Sequence, residues 1–118
     1  LTQLAALTEL IVKFRDERDW KQFHHPKDLG VALSIEASEV LELFRFKSNE
    51  EIQARLAQGP WPDLGHELAD ILYFVLLLAH DTGVDLESAL VEKLKISGEK
   101  YPVELSRGNN AKYTELKS

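Results

Sequence analysis

Between a few prolines and glycines, apolar residues recur along this chain every three to four positions, the period of one helix face. Leu4, Leu7, Ile11 and Phe14 make one stripe, which predicts a first helix that starts after Thr2 and ends near Asp19. Asp28 reads as the N-cap of a second helix from about Leu29 to Phe46. Ser48 followed three positions later by Glu51 is a capping-box pattern, opening a short third helix through about Ala57. Gln58 to Pro62 reads as a turn, and a fourth helix is expected from about Asp63 to Thr82. It stops at Gly83, a residue suited to a left-handed helix end. Asp85 then caps a fifth helix to about Glu99, Pro102 ends it, and Ser106 to Ser118 read as a polar tail. No alternation of polar and apolar residues is long enough for a strand. The pattern predicts an all-α helix bundle, built as one domain over residues 1–118.

Two of these helices break their own pattern. On the second, Ala32, Leu33, Val40 and Leu43 mark the apolar face, and Glu36 and Glu39 fall on the same stripe. On the fourth, Asp70 is the only residue between Leu68 and Ala79 that is neither apolar nor aromatic, and Glu67 lies one turn before it. An isolated carboxylate is costly to bury, so such groups are normally paired, neutralised or bound to metal. Glu-x-x-Glu is also common on solvated faces, and Glu42, Glu50 and Glu51 fit that plainer use. Two such pairs on core-facing stripes, with few Lys or Arg beside them, point instead to divalent cations. An all-oxygen ligand set suits Mg²⁺ or Mn²⁺. A di-iron bundle would need a Glu-x-x-His motif, and no glutamate here has a histidine three positions later.

Charge and composition then narrow the partners. The net charge of −6 argues against binding a nucleic-acid polymer, which needs a basic face. An acidic chain that handles a polyanion needs cations between the two. The absence of cysteine excludes disulfides and thiolate sites and is compatible with a reducing compartment, so a cytoplasmic location is expected. Leu1 to Phe14 lacks the basic start and uniform apolar run of a signal peptide. Ile71 to Ala79, the longest apolar run, is far short of the roughly 20 residues that span a bilayer, so no membrane role is expected.

With Glu36-Ala37-Ser38-Glu39 and Glu67-Leu68-Ala69-Asp70 in place, the chain resembles the all-α nucleoside triphosphate pyrophosphohydrolases of the MazG-like group. It is similar in particular to their dCTP pyrophosphatase branch. That similarity runs through Arg18-Asp19-Trp20-Lys21-Gln22-Phe23-His24, Leu41-Glu42-Leu43-Phe44-Arg45-Phe46-Lys47, Lys100-Tyr101-Pro102 and Lys112-Tyr113-Thr114-Glu115-Leu116. The resemblance implies a four-helix-type bundle assembled as a homotetramer, with Mg²⁺ held by Glu36, Glu39, Glu67 and Asp70. It implies a nucleoside triphosphate substrate whose base meets aromatic residues and whose phosphates meet basic residues late in the chain. By position Trp20 matches a base-pocket tryptophan. Phe46 stands where the branch has tryptophan, Phe74 where it has tyrosine, Ile11 where it has histidine, and Ser97 where asparagine is frequent.

The remaining residues carry two readings each. Trp20, Phe23 and Phe46 fit core aromatics more readily than base platforms, and Trp20 is the best base platform among them. Lys93, Lys95 and Lys100 suit a solvated basic helix end, while Lys93 and Lys100 are also candidates for the phosphates, as are Arg107 and Lys112 in the tail. His24 and His25 read as helix-terminal residues, and Trp61 as a packing or turn residue. The expected reaction is attack of water at the α-phosphorus of a dNTP, dCTP favoured and dATP among the others. It leaves a monophosphate and pyrophosphate, with Glu39 as general base. The chain would thereby clear unwanted nucleotides. A nucleotide-binding module without turnover and a purely structural helical oligomer are the competing classes.

Overall fold

A computed structural model describes residues 2–116 of the chain. Among them every regular element is a helix, and the chain divides into two compact units, Leu1–Gly83 and Val84–Ser118. No helix among the described residues is long and apolar enough to cross a membrane.

In the first unit, α1 spans Gln3–Asp16, and Thr2 caps it by accepting a 3.1 Å hydrogen bond from the Ala5 amide. It ends three residues earlier than its pattern predicts. The Arg15 carbonyl accepts both the Arg18 and the Trp20 amides, and Asp19 turns left-handed at φ 52°, a conformation that aspartate tolerates better than most side chains. A 3₁₀ turn at Lys21–Phe23 leads to α2, Pro26–Phe44. That helix begins at Pro26 rather than after Asp28. Proline lacks the amide that a first helical turn would leave unpaired, so it starts a helix without loss. Asp28 sits inside the first turn instead.

The far end of α2 also differs from expectation. The helix closes at Phe44, Arg45 is extended, and Phe46 takes φ 63°, outside the helix. The Lys47 ammonium donates to the Leu43 carbonyl, which the helix end leaves free. One residue further on, Ser48 caps α3, Asn49–Ala57, with both halves of the expected capping box formed. The reversal between the two helices falls on Phe46. Pro62 starts α4, Pro62–Thr82, and Gly83 ends it at φ 73°, as its left-handed role requires.

α4 is the central element of this unit, packed by α2 and by α1. Leu29 on α2 and Leu76, Leu77 and Ala79 on α4 are its buried apolar residues. Burial of each leucine contributes about 1.5–3 kcal/mol. The one buried charged side chain among the described residues is Arg15, 1% exposed. Its guanidinium donates two hydrogen bonds to the Asp81 carboxylate at 2.7 and 2.8 Å, tying α1 to the last turn of α4.

In the second unit, Asp85 caps α5, Leu86–Lys100, by accepting from the Ser88 amide and hydroxyl. Leu90, Val91 and Leu94 stand more than 60% exposed on it. Beyond Pro102 the segment expected as a tail contains α6, Val103–Ser106, and a 3₁₀ turn at Tyr113–Glu115. Tyr113 meets the Tyr101 ring edge-on at 6.0 Å and lies under the Lys100 ammonium at 4.8 Å. These contacts fix a stretch whose polar composition alone suggests none. The last two residues of that expected tail lie outside the described ones.

The Arg15–Asp81 pair sets a stability test. Its hydrogen bonds from Arg15 hold the Asp81 carboxyl below the ordinary carboxylate range. A depressed carboxylate pKa adds stability above the unfolded value, near 4, and that stability drains as pH falls through the lower folded value. Asp81→Asn should cost about 3–5 kcal/mol at neutral pH, since it strands a buried guanidinium. Urea unfolding at falling pH should show the gap between wild type and variant closing only below about pH 4.

Candidate metal and active site

The carboxylates are positioned by the seam between α2 and α4. Glu36 and Glu39 lie one turn apart on α2, and Glu67 and Asp70 one turn apart on α4. One oxygen from each of Glu36, Glu67 and Asp70 falls within 4.8 Å of the other two. Glu39 is exposed and stands outside this trio, although its charge reaches both Glu36 and Glu67.

Burial raises the Glu36 pKa first, followed by the charges of Asp70, Glu67 and Glu39. Burial likewise raises Glu67, followed by Glu39, Asp70 and Asp63, with His66 pulling the other way. The carboxylates of α2 and α4 thus act on one another across the seam.

Two further observations bear on a metal. The Glu67 Oε2 atom is buried and accepts no hydrogen bond. Among the described residues no Lys or Arg forms an ion pair with any of the four carboxylates. A buried oxygen without a donor and a cluster of negative charge without a counter-charge both match a hard divalent cation bound by oxygen. The residues present fit Mg²⁺ or Mn²⁺.

The predicted aromatic residues divide. Trp20 stands on the turn after α1, 41% exposed, with its ring edge-on to Phe14 at 5.8 Å. Phe14 meets Tyr73 at 6.4 Å, and Tyr73 meets Phe74 at 5.0 Å. Phe74 lies one turn after Asp70 on the same face of α4. A chain of rings therefore runs from Trp20 to a point one turn from the carboxylates. Phe46 is apart from it, 90% exposed, with the Arg45 guanidinium 4.5 Å above its ring. Trp61 fills the packing role expected of it, edge-on to Phe44 at 5.5 Å.

The candidate phosphate contacts Lys93, Lys100, Arg107 and Lys112 all lie in the second unit and are exposed. Sequence reasoning passed over Phe14, Tyr73 and Arg18 as members of this neighbourhood. Phe14 and Tyr73 look like ordinary stripe residues, and the one available signal was the spacing of four between Phe14 and Arg18. His24, expected simply as a helix-terminal residue, has its Nδ1 buried without a partner. Burial and the nearby Arg15 charge lower its pKa.

Residues 31–116 match the family model described as the MazG-like family. The chain is 41% identical to dCTP pyrophosphatase 1 of Mus musculus and 38% identical to that of Homo sapiens. Each match covers 96% of this chain and 67% of the relative. In structure it is similar to the crystal structure of a pyrophosphatase from Archaeoglobus fulgidus, with a TM-score of 0.78 and 28% identity. That match covers 86% of this chain and 94% of the other.

The raised carboxylates give a signed prediction. A carboxylate whose folded pKa is raised contributes stability below its unfolded value, near 4.5, and loses it as pH rises through the folded value. In metal-free protein Glu36→Gln should therefore melt above wild type at about pH 8, with the difference vanishing on acidification to about pH 4.5. Mg²⁺ should stabilise wild type by about 2.7 kcal/mol at a hundredfold excess over its Kd, and Glu36→Gln far less. Thermal melts with and without Mg²⁺ check both.

Proposed function

We propose a function for this chain from one premise: it belongs to the MazG-like family and is a nucleotide pyrophosphatase. The proposed reaction is Mg²⁺-dependent hydrolysis of deoxynucleoside triphosphates to monophosphate and pyrophosphate, with dCTP favoured. The observation that carries it is the gathering of Glu36, Glu67 and Asp70 within 4.8 Å across two helices. The two relatives named as dCTP pyrophosphatases support the choice of nucleotide.

Glu36, Glu39, Glu67 and Asp70 would hold the Mg²⁺. A divalent cation, when bound, supplies polarisation of a phosphoryl oxygen and acidification of water. Glu39, the more exposed of the two α2 carboxylates, would also serve as general base toward the attacking water. Trp20 offers an accessible indole face on which a base can stack, and Phe74 adds an apolar wall one turn from Asp70. Phe46, the most exposed of the three aromatics, closes on the base in this reading. The exposed cations Lys93, Lys100, Arg107 and Lys112 offset the phosphate charge.

The family match runs from residue 31 to 116, through both compact units, which supports treating the chain as one functional domain. The working form is a homo-oligomer, a tetramer of the four-helix-bundle kind. Leu90, Val91 and Leu94 on α5, Ile35 on α2 and Leu68 on α4 are apolar and more than half exposed, and association would cover such faces. The cytoplasm is its compartment in this reading, in keeping with a chain free of cysteine. Removal of unwanted nucleotides is its use.

Product analysis tests the reaction. dCTP with Mg²⁺ should give dCMP and pyrophosphate in equal amounts, and Asp70→Ala should abolish turnover without unfolding the protein. Release of dCDP and orthophosphate would overturn the reading. Stacking and apolar walls discriminate bases weakly, so at least one other dNTP, dATP for example, should be hydrolysed within about a hundredfold of dCTP in kcat/KM. Sedimentation at micromolar concentration should show an oligomer, and a monomer there would refute the assembly.

A further inference from the structure

The environment of Trp20 contains a side chain that no part of the proposed reaction uses. Arg18 is exposed and, among the described residues, has no carboxylate partner. Its guanidinium nevertheless lies 3.7 Å from the centre of the Phe14 ring and 5.9 Å from that of Trp20. Its Nη1 donates a 2.9 Å hydrogen bond to the Phe14 carbonyl near the end of α1. One planar cation thus holds the backbone and the ring of Phe14, the residue on which the edge of Trp20 rests.

The rest of the turn is fixed around it. The Trp20 amide donates to the Arg15 carbonyl, and the Gln22 side chain donates to both the carbonyl and the carboxylate of Asp19. The Trp20 backbone is therefore set, and the remaining freedom is in its ring. Phe14, 43% exposed, meets that ring edge-to-face at 5.8 Å, and Trp20 itself is 41% exposed. A Phe14 ring free to change rotamer would leave Trp20 free as well. Arg18 removes that freedom because its flat, rigid guanidinium stacks on the ring face while its Nη1 is held to the carbonyl, whereas a lysine ammonium is a rotatable point charge with no planar face.

We infer that Arg18 is a positioning residue for base recognition: it clamps Phe14 and thereby presets the orientation of the Trp20 indole. This rests on the reading of Trp20 as the base platform made above. Among the described residues Arg18 forms no ion pair with the clustered carboxylates. Its effect belongs in binding and not in the chemical step, and it is transmitted wholly through Trp20.

Kinetics of the full-length, Mg²⁺-loaded enzyme on dCTP test this with four variants: Arg18→Gln, Arg18→Lys, Trp20→Ala and the Arg18→Gln/Trp20→Ala double variant. Arg18→Gln should raise KM by about three- to tenfold, the size of one exposed-to-half-buried cation–π contact, with kcat unchanged. Arg18→Lys should fail to restore KM. The double variant should match Trp20→Ala alone, because the two side chains act as one unit. Inhibition by dCMP should weaken by the same factor as dCTP binding. With Trp61 replaced by phenylalanine, Trp20 is the sole indole, and Arg18→Gln should shift its emission and lower its anisotropy.

Additive effects in the double variant would overturn the inference. So would full rescue by lysine, or a loss for dCTP much larger than for dCMP, which would mark a direct phosphate contact. Unchanged Trp20 fluorescence would overturn it too. A Trp20→Ala variant with unaltered KM would sink the base-platform reading itself. A silent Arg18→Gln beside an impaired Trp20→Ala would sink only the clamp.

Discussion

Like-charge repulsion across the seam of α2 and α4 is the constraint to which the first unit is built. Three carboxylate oxygens within 4.8 Å of one another cannot all be ionised cheaply without a cation. Burial raises the pKa values of Glu36 and Glu67 first, and the neighbouring carboxylate charges add to it. The seam holds because its buried apolar residues lie away from the charge. Leu29 opens α2, and Leu76, Leu77 and Ala79 occupy the later half of α4, whereas Glu67 and Asp70 sit in the earlier half. Apolar packing of α2 on α4 keeps the carboxylates of the two helices together. A cation would turn that repulsion into attraction.

This division explains why the site was legible in the sequence. A carboxylate inside an apolar run is anomalous for any helix, so Asp70 marks itself, and Glu36 marks itself against the stripe of Ala32, Leu33 and Val40. Helix starts and stops governed by local chemistry could also be read, as with Thr2, the Ser48–Glu51 box, Gly83 and Asp85. Where two local signals competed, the reading slipped. Pro26 and Asp28 can both begin a helix, and proline prevailed because its position costs no amide. Phe46 looked helical by its neighbours, yet the reversal into a capped α3 required a left-handed residue there.

Contacts between distant residues were not legible at all. Nothing in the pattern joins Arg15 to Asp81, 66 positions away, since each resembles a solvated charge on its own helix. The ring chain from Trp20 through Phe14 and Tyr73 to Phe74 was equally hidden, because aromatic residues on a stripe look the same whether they fill a core or line a cleft. Periodicity tells which face of a helix is turned inward. It does not tell which partner waits there.

The Arg15–Asp81 pair completes the logic of α4. Its first turn carries Asp63, where the partial positive charge at a helix N-terminus favours an anion. Asp81 lies at the opposite end, where the helix dipole opposes it. Arg15 reverses that penalty, and it does so from the last turn of α1, a position where its own helix favours a cation. One guanidinium thus answers the negative ends of two helices and an aspartate between them. The backbone carbonyl of the same residue accepts the Trp20 amide. The turn that carries Trp20 is therefore anchored to the residue that ties α1 to α4. The carboxylates lie in the earlier half of that same helix, away from this pair.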